Sequence, residues 1–234
     1  MKLLHLYHDI MNLYGDYANI LALQRILGNS GEEVTVDRLS LSDTATLDDY
    51  DFIFIGSGTE KNQKVVLEDF QQYKDQLAAY IASGKPVLMT GNSFEMLGRS
   101  ITDGDGKTYD GLGLYDFTVT EIRSKRYTTD IIATPCFSDQ PLVGFINKSS
   151  MIRGVKTPMN TVTFGIGNND DEMTEGVVDK HFYGTHITGP VLQKNPHFLI
   201  HIAELILGRK PADDHLAYEK KGYENTLQKL SERK

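Results

Sequence analysis

Two rhythms of apolar residues alternate through the first ninety positions. Short continuous runs, LLHLY (3–7), DFIFI at the start of DFIFIGSGT (51–59) and PVLMT (86–90), are separated by stretches in which apolar residues return every three or four places. The continuous runs read as strands covered on both faces, and the spaced ones as helices with one buried side. The segment 17–27 is expected to be a helix with Ile20, Leu23 and Leu27 on one face, stopped by Gly28 and Asn29. EEVTVDRL supplies a second strand, and 62–82 a long helix burying Val66, Phe70, Tyr73, Leu77 and Ile81.

Strand and helix in strict alternation with short links predict a parallel sheet with right-handed crossovers and helices on both faces. The expected class is α/β: an open, flavodoxin-like, mostly parallel sheet. Such sheets bind ligands beyond the carboxyl ends of their strands, which brings the loops 8–16, 56–62 and 91–95 to one rim. The second half is richer in strands, at 115–122, 130–134, 141–146, 161–166 and 182–187, set between Gly, Pro, Asn and Asp clusters. These are expected to extend the sheet with antiparallel members. Asn195 is positioned to cap a helix that has Pro196 at its first position and runs to about 207. A domain over 1–209 is therefore expected, followed by a charged helical tail over 210–234 without a strong apolar stripe.

Composition narrows the functional classes. The chain has 234 residues, 40% of them hydrophobic, enough for an ordinary core. Its net charge of −8, with no basic stretch, argues against nucleic acid and anionic membranes. One cysteine, Cys136, excludes an internal disulfide framework or a multi-thiolate metal site and suits a reducing cytoplasm. MKLLHLYHDI is too short and too polar for a signal peptide, and FLIHIAELIL is about half a membrane span. No metal site or cofactor is expected.

The candidate chemistry lies at "TGNSFEMLG" (90–98), a strand entering a sharp turn. Together with "NLYGDYANILAL" (12–23), "FIGSGTEKNQ" (54–63), "GLGLYDF" (111–117), "PLVGFIN" (141–147), "TFGIGNND" (163–170) and "GTHITGPVLQKNP" (184–196), it resembles class I glutamine amidotransferases of the cobyric-acid-synthase (CobB/CobQ) type. Within them it is most similar to glutaminase subunits that amidate the peptide stem of the peptidoglycan precursor with a Mur-ligase-like partner. The resemblance covers roughly residues 1–210. It implies a cysteine at the elbow attacking the amide of glutamine, a histidine from a late loop as base, and backbone N–H groups holding the oxyanion.

Matched residue to residue, the cysteine's position holds Gly91 and the histidine's position holds Thr188. A third family motif, Gly-Phe-Glu-Asn-His-Gly-Gly-Arg, has become Gly144-Phe145-Ile146-Asn147-Lys148-Ser149-Ser150-Met151. A nucleophile elbow forces positive φ on its residue, a strain of about 1–3 kcal/mol that glycine does not feel. The resemblance thus implies a body kept and a reaction lost.

Other residues compete for the roles. Ser93 lies two places past the apex, with His186 and His8 as the nearest candidate bases in sequence, and reads first as a turn serine bonded to backbone. His186, two residues before Thr188, returns to the same strand face and is a displaced base candidate. Gly56, Ser57 and Gly58 match the oxyanion strand and read either as a tight turn or as a remaining carboxylate or amide site, with Asn92 beside them. Arg126 matches a family arginine near the glutamine pocket, and reads equally as a carboxylate holder or a solvated charge. "GNND" (167–170) reads as turn chemistry before pocket wall. Cys136 lacks the strand-to-helix setting of a reactive thiol, and His197 with His201 read as a solvated helix face. Three functions follow: a non-catalytic subunit or regulator of a Mur-ligase-like enzyme, an active amidotransferase using displaced residues, or a sensor of glutamine or a related amino acid.

Overall fold

The computed structural model describes residues 1–233. The chain runs β1 (Lys2–Leu6), α1 (Tyr17–Asn29), β2 (Thr35–Leu39), β3 (Phe52–Ile55), α2 (Glu60–Phe70), α3 (Lys74–Ser83) and β4 (Val87–Thr90). A single 3-10 segment, Gly91–Leu97, follows β4. Next come β5 (Ser100–Thr102), β6 (Thr108–Asp110), β7 (Thr118–Glu121), β8 (Tyr127–Pro135), β9 (Leu142–Lys148), β10 (Ser150–Arg153), β11 (Asn160–Phe164), β12 (Thr174–Glu175), β13 (Val177–Asp179) and β14 (Phe182–Thr185). Helices α4 (Val191–Lys194), α5 (Pro196–Leu207) and α6 (Ala217–Ser231) end the described chain.

The central sheet has the order β13-β14-β4-β3-β1-β2, with every pair parallel except β13 against β14. The fold is therefore the expected α/β class. The chain leaves β1 toward β2 on one side and continues from β3 toward β4 on the other, so the switch point lies between β1 and β3. Only β13 extends this sheet antiparallel. The other late strands form two further four-stranded sheets, β10-β7-β5-β6 and β12-β11-β8-β9. β3 and β4 are buried along their whole length, as their unbroken apolar runs require. The two faces are covered by separate clusters, one including Tyr7, Phe70, Tyr80 and Phe94 and the other Leu23, Phe54, Phe198 and Ile202.

Several local expectations give way to tertiary context. The helix expected to end at Gly28 runs to Asn29, and the left-handed turn falls on Gly31 (φ +90°). The long helix of 62–82 begins earlier, where the Thr59 hydroxyl accepts the Asn62 N–H at 3.1 Å, and a 3-10 turn at Gln71–Tyr73 divides it. Asn195 precedes α5 but makes no capping bond. Its buried amide instead accepts from the Val143 N–H (2.8 Å) and donates to the carbonyls of Val143 (2.9 Å) and Val191 (2.8 Å). Its side chain therefore serves backbone groups of β9 that no neighbouring strand reaches at this point.

His197 and His201 are not on a solvated face. Helix α6 lays Tyr223 against His197, with ring centroids 5.2 Å apart, and both His197 ring nitrogens are buried. His201 stacks on Phe137 at 4.4 Å and is hydrogen-bonded to the Tyr183 hydroxyl at 2.7 Å. Burial lowers each imidazole to about 4. The cover over His197 comes from α6, whose Tyr223 and Leu230 pack on Ile132 and Val143. No described helix is long and apolar enough to cross a membrane.

Candidate functional site

Three loops meet at the carboxyl ends of β1, β3 and β4 and enclose a cavity of about 280 Å³. Leu13 and Tyr14 come from the first, Ser57 to Glu60 from the second, and Gly91, Asn92 and Glu95 from the third. The far wall is Arg126, the segment Asn147 to Ser150, and Thr188. Of the residues singled out from sequence, Ser57, Gly58, Gly91, Asn92, Arg126 and Thr188 line this cavity, whereas Gly56, Ser93 and His186 do not. No cysteine or histidine lines it among the described residues.

The turn after β4 has the backbone of an elbow, for Gly91 takes φ +62°. It has no room for a side chain. A β-carbon built on Gly91 would stand 2.2 Å from the Ser57 β-carbon, and neither atom belongs to a flexible end. Ser57 is held there by Asp16, whose Oδ2 accepts the Ser57 N–H (2.8 Å), the Ser57 hydroxyl (2.7 Å) and the Thr90 hydroxyl (2.8 Å). Asp16 is wholly buried. Burial raises its carboxyl, and the bonds from Ser57 and Thr90 only partly oppose that rise.

The Gly56-Ser57-Gly58 turn is likewise occupied from within. The Ser57 N–H goes to Asp16, and the Gly58 N–H goes to Asn92 Oδ1 at 3.0 Å. Gly56 and Gly58 are glycines because the 8–16 loop crosses them: β-carbons there would meet the Met11 carbonyl at 2.5 Å and its sulfur at 2.3 Å.

The remaining candidates are also engaged. Ser93 is buried, its hydroxyl donating to the Thr90 carbonyl (2.7 Å) with that of Ile55 at 3.1 Å. The Thr188 hydroxyl donates to the Phe145 carbonyl at 3.0 Å. His186 sits behind the cavity between two buried carboxylates, Nε2 at 2.9 Å from Glu95 Oε1 and Nδ1 at 3.5 Å from Glu175 Oε1. The Ser150 hydroxyl donates to the same Glu95 oxygen, so Glu95 separates this hydroxyl from the ring. Burial pushes Glu95 and Glu175 upward, but hydrogen bonds from His186 and neighbouring donors outweigh it and leave both below the ordinary carboxylate range. Arg126 donates to Glu60 and, at 3.0 Å, to Asn147 Oδ1. Cys136 is exposed elsewhere on the surface.

Sequence reasoning missed four of these groups. Asp16 stands in NLYGDYAN, where nothing local marks a carboxylate for burial. Glu95, in the 3-10 segment, and Glu175, in β12, become partners only when folding brings both to His186. Lys148, in the loop motif, is 4% exposed and donates to the carbonyls of Gly167 (2.7 Å) and Asn168 (2.9 Å), which makes GNND part of the lysine's socket. Burial lowers its amine to about 8, against the pull of Glu95 and Glu175.

An open α/β sheet with a cavity at its switch point, built from the loops after its first, third and fourth strands, is the architecture of a doubly wound α/β protein. Residues 2–196 match the CobB/CobQ-like glutamine amidotransferase domain, and the chain belongs to that family. It is 30% identical over 216 residues, 92% of this chain and 83% of the relative, to the "Lipid II isoglutaminyl synthase (glutamine-hydrolyzing) subunit GatD" of Streptococcus pneumoniae. Identity to the Staphylococcus aureus protein of the same name is 32% over 211 residues, covering 90% and 86%. Among solved structures, PurLQS from Thermotoga maritima shares the fold with a TM-score of 0.56 at 12% identity, over 97% of this chain and 98% of that one.

Two measurements check this geometry. Gly91→Ala should destabilise the protein by about 2–4 kcal/mol, the sum of a left-handed alanine and an overpacked contact. In a Ser57→Gly background the same change should cost only about 1–2 kcal/mol, a coupling that chemical denaturation of the four proteins would measure. For Lys148, the folded state sheds its proton near pH 8 while the unfolded chain holds it to about 10.5. Stability should therefore rise with pH across that window, by up to about 1.4 kcal/mol per pH unit relative to Lys148→Met. A constant difference between the two proteins from pH 8 to 10 would contradict the burial of this amine.

Proposed function

We propose that this chain is a non-catalytic glutamine amidotransferase-like protein, acting in the cytoplasm as a subunit or regulator of a Mur-ligase-like enzyme that amidates cell-wall precursors. The observation that carries the reading is the 2.2 Å approach of Ser57 to a β-carbon at Gly91. Mutating the glycine back to cysteine would not suffice, because the space a thiol needs is filled. Thr188 offers a hydroxyl already bonded to backbone where the family's base is expected. The relatives named as lipid II isoglutaminyl synthase subunits support both the partner and the pathway, and their similarity spans nine-tenths of this chain.

A second reading, a sensor of glutamine or a related amino acid, is favoured by the cavity itself. It keeps charges of both signs on its wall, Arg126 and Lys148 against Glu60 and Glu121, as a zwitterion requires. Both readings exclude turnover. The purified protein, alone and mixed with the ligase from the same cell, should release no glutamate or ammonia from glutamine above a heat-inactivated control. Steady release with either sample would refute them. Thermal stabilisation by glutamine without release would select the sensor.

A further inference from the structure

A second, more compact cavity of about 190 Å³ opens on the other side of the 8–16 loop, at the edge of the sheet. Its polar wall consists of His5, His8, Asn12, Tyr17 and Arg38, and no carboxylate lines it. The topology explains the gathering. β1 and β2 pair in parallel with His5 opposite Arg38, which sets the two side by side near the carboxyl ends of their strands. His8 follows β1, its ring 6.0 Å from that of His5. Asn12 Oδ1 accepts the Tyr17 N–H at 2.9 Å, which fixes the amide at the start of α1 and leaves its NH₂ without a partner among the described residues.

These groups are unpaired as well as clustered. The Arg38 side chain makes no ion pair or hydrogen bond among the described residues, although most exposed arginines of the chain are paired with acids, as Arg25 is with Glu219 and Arg153 with Asp171. His5 is 2% exposed, and its Nε2 is buried with no partner. Asp9, whose charge acts on His5, accepts the Ser40 hydroxyl at 2.7 Å and is not part of the lining. Burial above all, and then the charges of His8 and Arg38, lower the His5 imidazole to about 4. In a chain of net charge −8, a carboxylate-free pocket of this kind stands out from the rest of the surface.

We propose that this pocket is an oxyanion site that takes the phosphate of a small organic phosphomonoester. The guanidinium supplies a fork for two phosphate oxygens, and the imidazole of His8, the Asn12 amide and the Tyr17 hydroxyl supply donors for the third. Ile20, Leu21 and the Tyr17 ring form an apolar side against which the organic group lies. The site is separate from the amidotransferase cavity but shares a wall with it. His8 and Asn12 face one cavity, Leu13 and Tyr14 face the other, and the Leu13 N–H is bonded to the Ser57 carbonyl at 2.9 Å. An occupant would thus brace the loop that packs on the Ser57 turn.

The test is thermal denaturation of the full chain titrated with inorganic phosphate and with phenyl phosphate, against sodium chloride of matched ionic strength. Both should raise the midpoint saturably, phenyl phosphate at lower concentration. Arg38→Gln and His8→Asn should each weaken the effect at least about tenfold, while Arg126→Gln in the larger cavity leaves it unchanged. Equal stabilisation by acetate would overturn the proposal in favour of a carboxylate, such as an acidic side chain of a partner. Loss of the effect in Arg126→Gln alone would move anion binding to the larger cavity, and a response no greater than that to chloride would refute the site.

Discussion

The carboxylate of Asp16 ties together the loops that follow three parallel strands. It sits just before α1, after β1, and receives donors from Ser57 beyond β3 and from Thr90 at the end of β4. A buried carboxylate is destabilising unless its hydrogen bonds are satisfied, and here three donors converge on Oδ2 while Oδ1 is buried without a partner. The arrangement fixes the rim of the sheet and with it the position of Ser57. Everything distinctive about the cavity follows from that position.

With Ser57 held in place, Gly91 is doubly constrained. Its positive φ already favours glycine, and the serine removes the volume any side chain would use. The lack of room for a side chain at position 91 is thus a property of two loops rather than of one residue. The backbone N–H groups of Ser57 and Gly58 are taken in the same way, by Asp16 and Asn92. In the wall, Glu95 and Ser150, and behind it Gln63, His186 and Glu175, are linked to one another by hydrogen bonds. Polar groups common to a reactive site are present, but their hydrogen-bonding capacity is turned inward.

Much of this was legible in the sequence because it is local. Continuous apolar runs marked β1, β3 and β4, and alternation with helices gave the parallel sheet and the rim where its loops meet. The glycine at 91 told of an elbow without a thiol. What could not be read depended on contacts between distant segments. Nothing in NLYGDYAN shows that Asp16 is buried, and nothing around Ser57 shows that it fills the space above Gly91. Asn195 looked like a helix cap because its neighbour is proline, yet a strand 52 residues away takes its amide. His197 and His201 looked solvated because α6, which covers His197, carries few apolar residues, and only Tyr223 and Leu230 among them are buried.

The central claim is that no side chain in the amidotransferase cavity can form a covalent bond to glutamine. Intact-mass measurement after exposure to 6-diazo-5-oxo-L-norleucine, a glutamine-shaped diazoketone that alkylates the attacking group of an amidotransferase, tests it directly. The mass should stay that of the unmodified chain, with and without the ligase present. A stoichiometric adduct mapping to Ser57, Ser150 or another residue of that cavity, or to the buried Ser93, would contradict the account.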